Sequence, residues 1–294
     1  MCLIVFDWRP DVPASAARSA GQARLTLAAN RDEFWARPAA PMNWWDDAPQ
    51  ILAGRDLQGG GTWLGVHRDG RFAALTNYRA ASEKDLAGPT RGTLVADFLK
   101  DQPRTPLAYL EQVAARPTSG PAAMRGFNLL AGNLLAGELA YFGNRTGQPP
   151  RLLEAGCYGL SNAALDTPWP KVVAQTAALR DVLAAGPEQR LTQTAVDARL
   201  AALLALMHDT RQADDNALPS TGLTLDWERA LSAAWIELPN YGTRCTTALH
   251  CAVDGTIDVI ERGDSAPDGR RLGAGARDSR FRFTLTAAPH SQIG

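Results

Sequence analysis

Two stretches decide the fold when read together: Met1-Cys2-Leu3-Ile4-Val5-Phe6 and Leu25-Thr26-Leu27-Ala28-Ala29-Asn30-Arg31-Asp32-Glu33-Phe34. Each is an apolar run of strand length bounded by polar residues, which predicts two buried strands. The segment between them, Asp11 to Gln22, is rich in Ala, Ser and Pro and suits an exposed connection. Paired as neighbours, the strands bring Cys2 close to the polar run Asn30-Arg31-Asp32-Glu33. Those four side chains are costly to bury, so the run reads either as a solvated turn or as a functional cluster. Cys2 follows the initiator methionine, and an aminopeptidase normally removes Met1 before so small a residue. One residue would then carry a thiol, with a reference pKa of about 8.5, and a free amine of about 8, so the amine can accept the thiol proton. Nucleophile and base together are a minimal apparatus for acyl transfer. The plainer reading of Cys2 is a small buried hydrophobe on a first strand.

Working outward, 294 residues with 45% apolar content can fill a sizeable core, and we expect one domain spanning residues 1–294. Thirty basic residues against thirty-one acidic ones give a net charge of −1 with no Lys/Arg run, which argues against nucleic acid as a partner. The Leu3 to Phe6 run is too short for a signal-peptide core, and nothing later approaches a membrane span, so a soluble, cytoplasmic protein is expected. The four cysteines, Cys2, Cys157, Cys245 and Cys251, form no C-x-x-C pair and have no histidine at zinc-finger spacing, so no structural metal is expected. Cys245 and Cys251 would share one face of a strand about 20 Å apart, which predicts separate buried thiols.

Further along, Ala36 to Gln50 holds Pro38, Pro41 and Pro49 beside Trp44-Trp45 and reads as a long irregular loop. The tryptophan pair is a candidate lining for an apolar pocket, the plainer reading being a packed loop anchor. Thr62 to Val66 and Phe72 to Asn77 flank Asp69-Gly70 as a hairpin. Gly59-Gly60-Gly61 precedes a strand and lacks a following Lys-Ser/Thr, so it is not a phosphate loop. Helical spacing predicts helices over 91–100, 106–115, 170–183 and 188–207, and 226–234 has helical composition. The 234–238 stretch could equally begin a strand. Strands are expected over 127–132, 138–142, 158–162, 241–249, 256–260 and 280–285, with Asp254-Gly255 as a hairpin turn. The 209–218 stretch reads as polar and mobile. The sum is an α+β protein with antiparallel sheet and helices outside.

Several of these blocks carry a resemblance. Ala29-Asn30-Arg31-Asp32-Glu33-Phe34, Gly60-Gly61-Thr62-Trp63-Leu64-Gly65, Ala74-Leu75-Thr76-Asn77-Tyr78, Gly126-Phe127-Asn128-Leu129, Tyr158-Gly159-Leu160-Ser161-Asn162-Ala163, Thr167-Pro168-Trp169 and Tyr241-Gly242-Thr243-Arg244 resemble the Transport and Golgi organization protein 2, or NRDE, family over nearly the whole chain. That family in turn looks like N-terminal nucleophile hydrolases of the choloylglycine hydrolase and penicillin V acylase type. The resemblance implies an αββα sandwich and a cysteine-dependent amidohydrolase acting on non-peptide carbon–nitrogen bonds of a small-molecule amide, with no cofactor. It further implies that Cys2 is the nucleophile, Asn77 and Asn162 are oxyanion-hole amides, and Arg244 is a late active-site arginine. Hydrolases of this type carry Arg, two spacers and Asp before an aromatic. Here either Arg31 with Asp32 or Asn30 with Glu33 would fill those roles, and Arg31 or Arg244 would hold the thiol pKa down. Trp63, with Trp44 and Trp45, would line the binding pocket. The family is also linked to haem mobilisation, to lipid or acyl-CoA handling and to Golgi organisation, which implies the alternative of a binding or trafficking protein on the same scaffold. For haem the chain offers no C-x-x-C-H and only His67, His208, His250 and His290 as histidine ligands.

Overall fold

The computed structural model describes residues 2–10, 23–80, 82, 88–100, 104–120, 122–185, 192–263 and 277–287. The connection expected over 11–22, the start of the helix expected from 188, and His290 lie outside the described residues. One antiparallel sheet runs, in spatial order, β10 (Gly156–Leu160), β1 (Cys2–Trp8), β2 (Ala23–Phe34), β11 (Tyr241–Ala252), β12 (Thr256–Gly263) and β13 (Arg277–Thr284). The other is a meander of β3 (Ala39–Trp45), β4 (Ala48–Asp56), β5 (Leu64–His67), β6 (Arg71–Asn77), β7 (Phe127–Asn133), β8 (Glu138–Gly143) and β9 (Arg151–Leu152).

Period-2 alternation gives each sheet two apolar faces, and this sets the layers. Ile4, Phe6, Trp8, Leu25, Leu27 and Leu249 of the first sheet meet Leu52, Leu64, Phe72 and Leu130 of the second in the central core. Leu3, Val5, Ala28, Ala248 and Ile260 point the other way, onto α3 (Pro170–Ala184) and α4 (Gln193–Leu206). On the far side α1 (Gly92–Lys100) and α2 (Pro106–Ala114) cover Ala73, Leu75, Leu129 and Ala131. The result is helix, sheet, sheet, helix, the expected αββα order. A short α5 (Leu225–Ser232) packs Leu231 on Ile236 and Tyr241 at one end of the first sheet.

Two expectations are corrected and one open boundary is settled. Residues 36–50 are not an irregular loop: β3 and β4 form a hairpin there, Trp44 facing Leu52 in register. Pro41 is accommodated because β3 is the sheet's edge strand, where one side of the backbone needs no ladder partner. Asn30 to Glu33 is not a turn, since β2 continues to Phe34 with Asn30, Arg31 and Asp32 buried. The 234–238 stretch forms no strand, contributing only an isolated bridge between Glu237 and Gly242.

Candidate active site

The expected meeting of β1 and β2 is present. Cys2 pairs with Arg31, and Cys245 pairs with Arg31 from the other side, so three strands place Cys2, Arg31 and Cys245 in one row on the inner face. The Arg31 guanidinium lies 4.4 Å over the Trp63 ring. It is 6% exposed, its Nη1 has no hydrogen-bond partner among the described residues, and its nearest recorded carboxylate contact is Glu33 at 4.0 Å. Trp63 can lie there because Gly54 has no side chain: a Cβ at that position would collide with the indole ring. Further along the inner face, Glu261 accepts a 2.6 Å hydrogen bond from the Met42 N–H and is hydrogen-bonded to the Cys245 thiol. Burial raises both the Glu261 carboxyl and the Cys245 thiol.

Asn30 and Asp32 point to the opposite, helix-covered face. Asn30 Nδ2 donates to the carbonyls of Met207 (2.9 Å) and Ala234 (2.8 Å), and its Oδ1 accepts from Thr246 at 2.6 Å, so this amide staples helix-side segments to the sheet. Asp32 Oδ1 accepts from Thr243 Oγ1 at 2.6 Å. Burial raises the Asp32 carboxyl, with Lys171, the Thr243 hydroxyl and Arg79 working against that rise.

The Cys2 sulfur receives the backbone N–H of Asp32. Burial raises the thiol pKa and the Asp32 carboxylate adds to the rise, while the Asp32 N–H and, more weakly, the positive charge of Arg31 work against it. The expected net depression by nearby arginines is therefore reversed in direction, because desolvation of a nearly fully buried thiolate outweighs one flanking cation. Arg244 is anchored on backbone carbonyls. It is the extra residue of a β-bulge between Thr243 and Cys245, and its Nη1 is bound to the carbonyls of Phe34, Trp35 and Arg37. Asn77 and Asn162 do come together: Asn162 Nδ2 donates to the Asn77 carbonyl (2.9 Å), and the neighbouring Ser161 hydroxyl donates to the Cys2 carbonyl (3.2 Å). Thr76 and Asn128 complete this junction, Thr76 Oγ1 donating to Ser161 O at 2.5 Å and Asn128 Nδ2 to Ala163 O at 2.8 Å.

Trp44 and Trp45 lie elsewhere. Trp44 packs on Phe281, Phe283 and Arg68, whereas Trp45 is buried against α1 and donates to Ala53 O. Two concavities, one beside Val113, Met124 and Phe142, the other beside Asp47, His67 and Lys100, hold none of the residues around Cys2. Sequence reading missed a buried ionic group behind Asp32: Lys171, and Arg79 with Glu228, whose ion pair is 2.6 Å long. Lys171 left a signal, a cation in the first turn of a helix, where the dipole disfavours it. Arg79 and Glu228 left none, being ordinary charges until the fold brings them together.

The family model of Transport and Golgi organisation 2 matches residues 1–264. The chain belongs to that family. The Transport and Golgi organization protein 2 homolog of Bos taurus is 36% identical over 282 residues, covering 92% of this chain and 96% of the relative. The Homo sapiens homolog is 34% identical over 271 residues, covering 89% and 92%. Among solved structures, penicillin V acylase from Agrobacterium tumefaciens aligns with 98% of this chain and 100% of its own, at a TM-score of 0.43 and 10% identity. Within this Transport and Golgi organisation 2 chain no helix among the described residues is long and apolar enough to cross a membrane. No group of three or more metal-ligating side chains occurs among them.

Proposed function

We propose that this protein is a cysteine-dependent N-terminal nucleophile amidohydrolase acting on non-peptide C–N bonds. The observation that carries the reading is the setting of Cys2, whose thiol lies at a strand terminus with the Asp32 N–H on its sulfur and Arg31 beside it. A thiol raised by burial rests protonated, so attack requires a base in reach, and the amine freed by loss of Met1 is that base. The amine takes the thiol proton as sulfur bonds to the amide carbonyl carbon. It then returns that proton to the leaving nitrogen as the C–N bond breaks, and water hydrolyses the resulting thioester to restore the thiol. Backbone N–H groups and the Asn77 and Asn162 amides are the proposed oxyanion donors. Trp63 and Arg31 form one wall of the site, and Asp32 holds the strand terminus through Thr243.

The test is Cys2→Ser against a broad panel of N-acyl amides. The alcohol is a far poorer nucleophile, so turnover of any responsive amide should fall about 10³-fold or more while binding of that amide is nearly unchanged. If no amide shows Cys2-dependent turnover and haem or acyl-CoA transfer survives Cys2→Ser, the hydrolase reading is lost and a binding protein on this fold takes its place.

A further inference from the structure

β2 runs on past its neighbour. Among the described residues the β1 ladder ends where Cys2 meets Arg31, whereas β2 continues through Asp32 and Glu33 to Phe34. On its other side β2 stays paired with β11 as far as Tyr241 opposite Phe34. Successive residues of a strand turn their N–H groups to opposite edges. The Trp35 N–H reaches the Asn240 carbonyl on the β11 side at 3.0 Å, so Asp32 and Phe34 present theirs on the β1 side. That of Asp32 lies on the Cys2 sulfur. That of Phe34 has no backbone acceptor among the described residues, and its partner is the carboxylate of the preceding residue, Glu33, at 2.9 Å.

Glu33 is loosely held in this position. Its other oxygen lies 4.0 Å from Arg31 and 3.8 Å from Arg37, beyond hydrogen-bond distance of either. The Glu33 side chain is 22% exposed and can turn into water, and Phe34 is 52% exposed, so the donor stands at an open rim. Charge decides what can take the place of the carboxylate. Arg37 is matched by Asp56 at 2.7 Å, and Arg31 has Glu33 beside it, so two guanidiniums already face two carboxylates. A neutral acceptor replaces Glu33 on the N–H without adding an unmatched anion. The two N–H groups on this edge are two residues apart, about 7 Å at strand rise.

We propose that the Phe34 N–H is a second hydrogen-bonding point for substrate, and that the substrate is an amide carrying a further neutral carbonyl about 7 Å from the attacked one, the spacing of alternate carbonyls in an extended dipeptide unit. The attacked carbonyl lies beside Cys2 at the Asp32 end of the edge. The further carbonyl accepts from Phe34, and Glu33 turns outward. The bound molecule continues the line of β1, as a strand added to a sheet edge does. Peptide-like acyl amides are thereby selected over simple fatty amides. Which carbonyl is attacked rests on the reading of Cys2 above.

The test measures binding to the full-length Cys2→Ser chain by titration calorimetry. Two probes of equal backbone length are compared: acetyl-alanyl-alanine butylamide, whose first and third carbonyls have the required spacing, and octanoyl butylamide, which has one carbonyl. Phe34→Pro removes the N–H without removing a ladder bond. It should weaken the dialanyl probe about fivefold, the effect of one hydrogen bond, and leave the octanoyl probe unchanged. Phe34→Ala keeps the N–H, so the difference between the probes should survive it. Glu33→Ala uncovers the N–H and should tighten the dialanyl probe by a similar factor. Failure of the dialanyl probe to bind, an affinity indifferent to Phe34→Pro and Glu33→Ala, or an equal change for both probes overturns the proposal. Should Phe34→Pro fail to fold, Glu33→Ala decides alone. Turnover is not measured, so an amide panel without Cys2-dependent hydrolysis would remove the proposed reaction and leave this binding result standing.

Discussion

Asn30, Arg31, Asp32 and Glu33 are consecutive, yet strand alternation gives them two unlike environments. On the helix face Asn30 makes three hydrogen bonds of 2.6 to 2.9 Å, and Asp32 accepts one from Thr243. On the inner face Arg31 is buried against Trp63 with Nη1 unbonded among the described residues, and Glu33 is half-buried 4.0 Å away. A side chain saturated with hydrogen bonds is holding structure, whereas a buried guanidinium left incompletely bonded retains capacity for something else. The pleat therefore divides the motif into a hydrogen-bond staple and the incompletely bonded residues of the proposed site.

The largest effect expected from this division is at Asn30. Asn30→Ala strips partners from two buried carbonyls and the Thr246 hydroxyl and should cost about 3 kcal/mol or more in urea unfolding. A loss below about 1 kcal/mol would mean that the staple bears little of the fold.

A control comes from the other end of β11. His250 is buried, and desolvation first, then Arg199, lowers it to about 4. The unfolded chain takes up this proton near its ordinary value, about 6.5, and the folded chain only near 4. Stability contributed by neutral His250 is thus present above about pH 6.5 and falls progressively towards pH 4, by roughly 2 to 3 kcal/mol. His250→Gln should flatten that slope without touching Cys2 reactivity, and an unaltered slope would assign the acid sensitivity to other groups.

Gly54→Ala places a methyl group in the Trp63 ring and should cost about 1 to 3 kcal/mol, with a change in tryptophan emission as the ring leaves Arg31. The smallest stability effect belongs to Arg31 itself. Arg31→Met removes a poorly bonded buried charge and should change unfolding free energy by less than about 1 kcal/mol in either direction. If Arg31→Met destabilises as much as Asn30→Ala, the division between staple and site is wrong.

Much of this was legible before folding. The apolar runs Leu3 to Phe6 and Leu25 to Ala29 read as two strands that meet, and Asp69-Gly70 and Asp254-Gly255 marked hairpins that are present. The separate burial of Cys245 and Cys251 follows from their spacing and is observed. Burial of Asn30 to Asp32 was not legible, because the bonds that satisfy Asn30 come from Met207, Ala234 and Thr246, far away in sequence. Trp44-Trp45 beside prolines looked like a loop because propensity does not reveal that β3 is an edge strand. Arg244 was legible as a motif residue, but the one-residue bulge that brings its Nη1 to three carbonyls was not. Lys171 was hidden because its meaning lies in what surrounds it: Asp32, Arg79, Cys2 and Glu228 converge only in three dimensions.

The central claim is that Cys2 acts as an N-terminal residue, with its own amine as base. Intact mass of the purified protein tests it most directly. The account predicts a chain short by its initiator methionine, with the new terminus condensing with 2-cyanobenzothiazole as a 1,2-aminothiol does. A folded protein that keeps Met1 at full mass and gives no such adduct would contradict it.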